Sequence, residues 1–126
     1  DDHIAVDGTG FRAIAGGQGT DTVAILGDAV DLNLSADAPG AITGIEVLDI
    51  GGSGNNSLDL TYADLLEVAD PIGDLTVVGD AGDRVAADLS GGGFAYDGVE
   101  DGFHVYSNGT ERLLVSEEIT DQSIVI

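Results

Sequence analysis

The 126-residue sequence predicts an all-β fold. The expected architecture is a stack of short parallel, solenoid-like strands of the β-roll or β-helix kind, with one short helix and an antiparallel C-terminal hairpin as a cap. Three observations predict it. Apolar residues alternate with polar ones in short runs, the period-2 signature of half-buried strands. Each run is closed by Gly, Asp, Asn or Ser, residues that turn a chain. A Gly-rich turn followed by a strand also recurs, as "GGQGTDTV" (16–23), "GGSGNNSL" (51–58) and "GDAGDRV" (79–85). The spacing of these units is uneven, which points to a module built on copies of one turn and not to a strict array.

Taken in order, the strand readings are "TVAIL" (22–26), "VDLNL" (30–34), "IEVLDI" (45–50), "SLDL" (57–60), "LTVVGD" (75–80) and "RVAADL" (84–89). Only "TYADLLEVAD" (61–70) has helical spacing, with Leu65, Leu66 and Val68 to one side, Thr61 as N-cap and Pro71 as its stop. "FHVYSNGTERLLV" (103–115) places Asn108-Gly109 between two apolar strands, a strong hairpin signal. Residues 94–119 are therefore expected to form an antiparallel closing element over the end of the stack, which would otherwise expose an open edge. The final "TDQSIVI" reads as a last strand, with a faint likeness to the ends of type I secretion substrates. The whole, 1–126, is expected to be one module: a strand stack over 10–93 and a cap over 94–126.

Composition narrows the function. With 43% hydrophobic residues the chain has the makings of a core. Asp and Glu number 24 against three arginines and no lysine, a net charge of −21. Such a field repels nucleic acid and anionic lipid, so neither is an expected partner, and no apolar run is long enough for membrane insertion. It also opposes compaction unless salt screens it or cations bind. The charge is either a solvated acidic surface or, in part, a means of holding divalent cations. Cysteine is absent, which removes disulfides and thiolate metal sites. The opening "DDHIAVDG" lacks the basic and apolar segments of a secretory leader, so the chain is expected to be cut from a longer one or exported without an N-terminal signal.

"GGQGTDTVA" (16–24) matches the calcium-binding nonapeptide G-G-x-G-x-D-x-U-x at every defined position. Glycines let the backbone turn tightly and aim carbonyls, Asp21 supplies a hard anionic oxygen, and Val23 points to the core. Calcium takes six to eight such oxygens at roughly 2.3–2.6 Å. The expected ligands are Asp21 with the carbonyls of Gly17 and Gly19, then Asp80 and Asp83 in the shortened third unit, then Asn56, an uncharged oxygen in the aspartate place. The alternative is a set of metal-free turns capped by Asx side chains.

These residues, with "ITGIEVLDIGGSGNNSLDLTYADLLEVAD", "LTVVGDAGDRV" and "YSNGTERLLVSEEI", make the chain resemble a module of the large RTX-type adhesins and haemolysin-type calcium-binding proteins exported by bacterial type I secretion. The likeness spans roughly residues 10–120, and the first nonapeptide is its one specific motif. Tandem nonapeptides are missing, which argues against a regular roll carrying rows of ions. The resemblance implies a secreted or cell-surface location, folding assisted by Ca2+, neighbouring modules in a larger chain, and a structural or adhesive role.

An enzyme is not expected. His3 and His104 are the only histidines, and His104 reads as a hairpin surface residue. No nucleophile-elbow pattern occurs. Asp70-Pro71 reads as a helix stop and not as a self-cleavage site, and the glycine turns lack the lysine of a phosphate loop. Two other functions stay open: an accessory export and folding module of a secreted enzyme, and a glycan- or protein-binding domain using Phe94, Tyr96, Phe103 and Tyr106.

Overall fold

The computed structural model describes residues 1–10, 13–37, 40–70 and 73–126. In chain order the elements are β1 (His3–Asp7), β2 (Ile14–Ala15), β3 (Thr22–Leu26), β4 (Asp31–Asn33), the helical turn α1 (Leu34–Asp37), β5 (Ile42–Thr43), β6 (Val47–Asp49) and β7 (Ser57–Thr61). They continue with the helix α2 (Tyr62–Val68), β8 (Asp74–Val78), β9 (Arg84–Asp88), β10 (Ala95–Glu100), β11 (Phe103–Ser107), β12 (Arg112–Ser116) and β13 (Asp121–Val125). Strands take 47% of the residues and helix 9%, so the protein is mostly β with one short helix.

Two open sheets face each other across the core. The larger has the order β1-β3-β6-β8-β12-β11-β10, the smaller β13-β9-β7-β4, and β2 pairs with β5 as a short third element. All pairings are parallel except β10 with β11 and β11 with β12. The chain crosses from the larger sheet to the smaller after β3, β6, β8 and β12, and each crossing lies beside the previous one.

Register explains why the alternating sequence folds this way. In the larger sheet Ile4, Val23, Leu48, Val77 and Val115 form one inward row. In the smaller sheet Leu32, Leu58 and Val85 form another, with Leu60 and Ala87 two residues on. A one-residue slip would turn each row to solvent, so burial of Val23, Leu48, Leu58, Val77 and Val85 to 0% exposure fixes the pairing. Gln122 ends the first of the smaller sheet's rows. Its amide donates to the carbonyls of Ser116 (3.0 Å) and Ile119 (2.7 Å), placing a polar group where earlier strands place Leu or Val.

The helix α2 begins as its sequence requires. The Thr61 side chain accepts the Asp64 N–H while the Asp64 carboxylate accepts the Thr61 N–H, a reciprocal capping box. Ser35 adds a hydroxyl bond to the same carboxylate at 2.6 Å. The expected stop at Pro71 lies outside the described residues; the last helical residue is Val68, capped by Ala69.

At the C-terminal end the antiparallel part is smaller than the sequence reading had it. The Asn108-Gly109 hairpin forms, with Asn108 Oδ1 accepting the N–H groups of Thr110 and Glu111 and Gly109 at φ +90°. Yet β12 and β13 pair in parallel with β8 and β9. Only β10 and β11 are antiparallel additions, and they extend the larger sheet sideways instead of lying across the stack. "RLLVS" and "DQSIV" have the same alternation as the earlier parallel strands, and alternation does not reveal strand direction.

Candidate functional site

The three Gly-rich units occupy two different corners. "GGQGTD" leads into β3 of the larger sheet, whereas "GGSGNN" and "GDAGD" lead into β7 and β9 of the smaller. Sequence likeness therefore joined turns that the fold separates. Gly17 and Gly19 take φ values of +93° and +113°, backbone that only glycine adopts without strain. Gly16 is needed for a different reason. A Cβ there would stand 2.8 Å from Asp21 Oδ2 and would run into the Gly44 carbonyl.

At the first corner Asp21 is fully buried and Glu46 is 7% exposed. Both immediately precede residues paired across β3 and β6, Thr22 with Val47, and so both turn inward. At the same level in the next strands, this inward row carries Leu75 and then Leu113. The Glu46 carboxylate is tied to the Asp21 backbone. Asp21 N–H donates to Glu46 Oε2 at 2.8 Å, and Asp21 Oδ1 accepts the Asp2 N–H. The Asp1 nitrogen lies 3.3 Å from the same oxygen. Asp21 Oδ2 and Glu46 Oε1 are buried with no hydrogen-bond partner among the described residues. Two buried carboxylate oxygens without a donor are costly unless a cation or a proton meets them.

The second corner is different in kind. Asn56 is 2% exposed and Asp83 is 1% exposed, and their side chains are engaged with backbone. Asn56 Oδ1 accepts the Val30 N–H at 2.8 Å and its amide donates to the Ile50 carbonyl at 2.9 Å. Asp83 Oδ1 accepts the Asn56 N–H at 2.8 Å, and Oδ2 accepts the Asp80 N–H at 2.7 Å. Val30, Asn56 and Asp83 thus form a ladder in which each Asx side chain caps the strand before it. Asp80 is exposed, beside Gly51. Of the residues singled out in the sequence, Asp21 and Gly17 belong to the first corner, where Gly44 lies beside both Gly16 and Gly17. Gly19 lies against Asp1, and Asn56, Asp80 and Asp83 gather at the second.

Glu46 was not singled out from the sequence. Its signal was present: "GIEVL" sets a carboxylate between Ile45 and Val47 immediately before a strand, as Asp21 stands before β3. Among the described residues no three His, Cys, Asp or Glu side chains converge as a metal cluster. A cation at the first corner would therefore take two carboxylates and complete its shell with backbone carbonyls or water.

The four aromatics do not form one patch. Phe94 is buried edge-on against Tyr62, with ring centroids 5.4 Å apart. Tyr96 stacks obliquely on Tyr106 at 5.1 Å, and its hydroxyl bonds His104 Nδ1 at 2.8 Å. Burial, reinforced by Tyr96, holds the Tyr106 phenol above its usual range. A separate shallow cavity of about 290 Å³ opens on the outer face of the smaller sheet, lined by Asn33, Asp59, Thr61, Ala86, Asp88 and Ser123. No helix among the described residues is long and apolar enough to cross a membrane.

Comparison with protein-family models, with curated proteins and with solved structures finds no match for this chain.

Proposed function

We propose that the chain is a calcium-stabilised, non-enzymatic structural or adhesive module of a larger secreted or cell-surface bacterial protein, folded as a short, irregular parallel β-solenoid. The observation that carries this reading is the buried Asp21–Glu46 pair with two orphaned oxygens, set at the end of a complete G-G-x-G-x-D turn. Hard anionic oxygens shielded from water suit Ca2+ better than a softer metal, and the Gly44 carbonyl borders the same space. The solenoid reading is supported by the row of parallel pairings that runs from strand to strand while the chain alternates between sheets.

Bound Ca2+ would supply charge neutralisation. Asp21 and Glu46 would hold it, tying the turn before β3 to the turn before β6. In a chain of net charge −21, calcium outside the cell then favours the compact state, and its scarcity in the cytosol keeps the chain loose for export.

Calorimetric titration of calcium into chelator-treated protein tests the proposal, with thermal unfolding in parallel. At a hundredfold excess over Kd, binding to the folded state adds about 2.7 kcal/mol, or a rise in Tm of about 10 °C for a chain of this size. Glu46→Gln and Asp21→Asn should each abolish the rise. Equal Tm in chelator and in millimolar calcium would refute the reading.

A further inference from the structure

The two sheets are unequal in a way that leaves a face uncovered. Beyond the crossing from β12 to β13 the larger sheet continues with β11 and β10, whereas the smaller ends at β13 among the described residues. Residues directly opposite each other in antiparallel strands share a face. Tyr106 is opposite the fully buried Leu113, His104 is opposite Val115, and Tyr96 is opposite Tyr106. Tyr96, His104 and Tyr106 therefore continue the inward face of the larger sheet, past the last facing strand among the described residues; Tyr106 is half-buried where it meets the core, and the face opens toward Tyr96. Tyr96 and Val99 are 48% and 47% exposed. The outer edge of β13, five residues long, borders this face and pairs with no strand among the described residues.

We propose that this overhang receives an extended, cationic segment of a partner protein, which adds to β13 as the next strand of the smaller sheet and lays alternate apolar side chains on Tyr96, His104 and Tyr106. Strand addition fits because the open edge and the uncovered face are adjacent, so one segment satisfies both. Charge selects the occupant. Glu100, Asp101, Glu117 and Glu118 are exposed at the end where β10 meets the β12–β13 corner, joined there by the Glu117 N–H bond to the Gly102 carbonyl at 2.9 Å. Among the described residues none of these four carboxylates is ion-paired: Arg112 pairs with Asp74 at 2.7 Å, and Arg84 lies 3.8 Å from Asp121 at the start of β13. A second copy of a chain with net charge −21 would bring like charge to this rim, whereas Lys or Arg alternating with apolar residues complements it. This inference goes beyond the calcium reading and does not depend on it, since the overhang is at the other end of the stack from Asp21 and Glu46.

A short acetylated peptide of about seven residues, alternating lysine and valine, is the probe, and the backbone amide spectrum of the full chain is the readout. The expected result is chemical-shift change confined to Asp121–Val125 and to the ring signals of Tyr96 and Tyr106. Binding should weaken steeply with salt. It should be lost when alternate peptide amides are N-methylated, or when glutamate replaces lysine. Tyr96→Ala, a truncation at a half-exposed position, should weaken binding about tenfold while leaving the remaining amide spectrum unchanged. Shifts scattered over the acidic surface, or equal binding of the N-methylated peptide, would overturn the proposal. So would concentration-dependent self-association through β13, which would make the occupant a second copy.

Discussion

Replacing Asn56 by Asp is a decisive perturbation, because it completes the calcium-type motif in the second Gly-rich turn while breaking the ladder that the turn supports. The Asn56 amide donates to the Ile50 carbonyl at 2.9 Å, and Asn56 Oδ1 accepts the Val30 N–H at 2.8 Å. Aspartate keeps the acceptor and loses the donor. The Ile50 carbonyl is left facing a carboxylate at a site that is 2% exposed. The lost bond and the uncompensated buried charge together cost about 3 kcal/mol. With a urea m-value of about 2 kcal/mol/M, the midpoint falls by about 1.5 M. Urea unfolding followed by circular dichroism, in chelator and in calcium, measures it. A ladder residue predicts the same loss in both media. If Asn56→Asp is as stable as the parent in chelator, or is rescued fully by calcium, Asn56 is a ligand position and the ladder argument fails.

Gly16→Ala should destabilise by about 1–3 kcal/mol, since its Cβ meets Asp21 Oδ2 and the Gly44 carbonyl. Gly10→Ala, whose added Cβ meets no atom within 4 Å among the described residues, is the control and should leave the melting curve in place. The Tyr106 phenol is held above its usual range, so folding favours its protonated form. That contribution is complete below the ordinary tyrosine range, near 10, and is lost as pH rises through the folded value; absorbance titration should show one tyrosine ionising late. Asp88 is shifted down by the Ser90 hydroxyl and N–H, so its contribution is present above the ordinary carboxylate range and fades as pH falls through the folded value. Ser90→Ala should move the Asp88 titration, followed by NMR, back toward that range.

Local chemistry was the legible part of this fold. "TVAIL" became β3, "SLDL" extended by one residue to β7, and Thr61 capped α2, because alternation and capping are written in neighbouring residues. Leu34 closes the alternating run "VDLNL" in sequence but begins a helical turn in the fold, where Asn33 Oδ1 accepts the Ala36 N–H at 3.0 Å. What depends on stacking was less legible. β1 and the two-residue pair β2 and β5 exist through partners distant in sequence. The same holds for the candidate site. Asp21 stood out by its motif, but its bond to Glu46 links residues whose neighbourhood arises only when β3 and β6 pair. The likeness between "GGQGTD" and "GGSGNN" was real in sequence and misleading in space, because the turns lead into different sheets and Gly17 takes φ +93° where its counterpart Gly52 is not in the left-handed region.

The side-chain caps also share a direction. Asp2 N–H is capped by Asp21, Asp21 N–H by Glu46, Val30 N–H by Asn56, and Asn56 N–H by Asp83. In every case the acceptor comes from the pass that follows in sequence. The module is thus polar along its length in a temporal sense. A nascent or emerging chain cannot finish any of these turns until the next segment has arrived to close it. Shortening from the C-terminal side strips these four caps from segments that remain, whereas shortening from the N-terminal side costs the remaining chain the Asp1 carboxylate on the Thr20 N–H. Along these four bonds order is handed backward, from later residues to earlier ones.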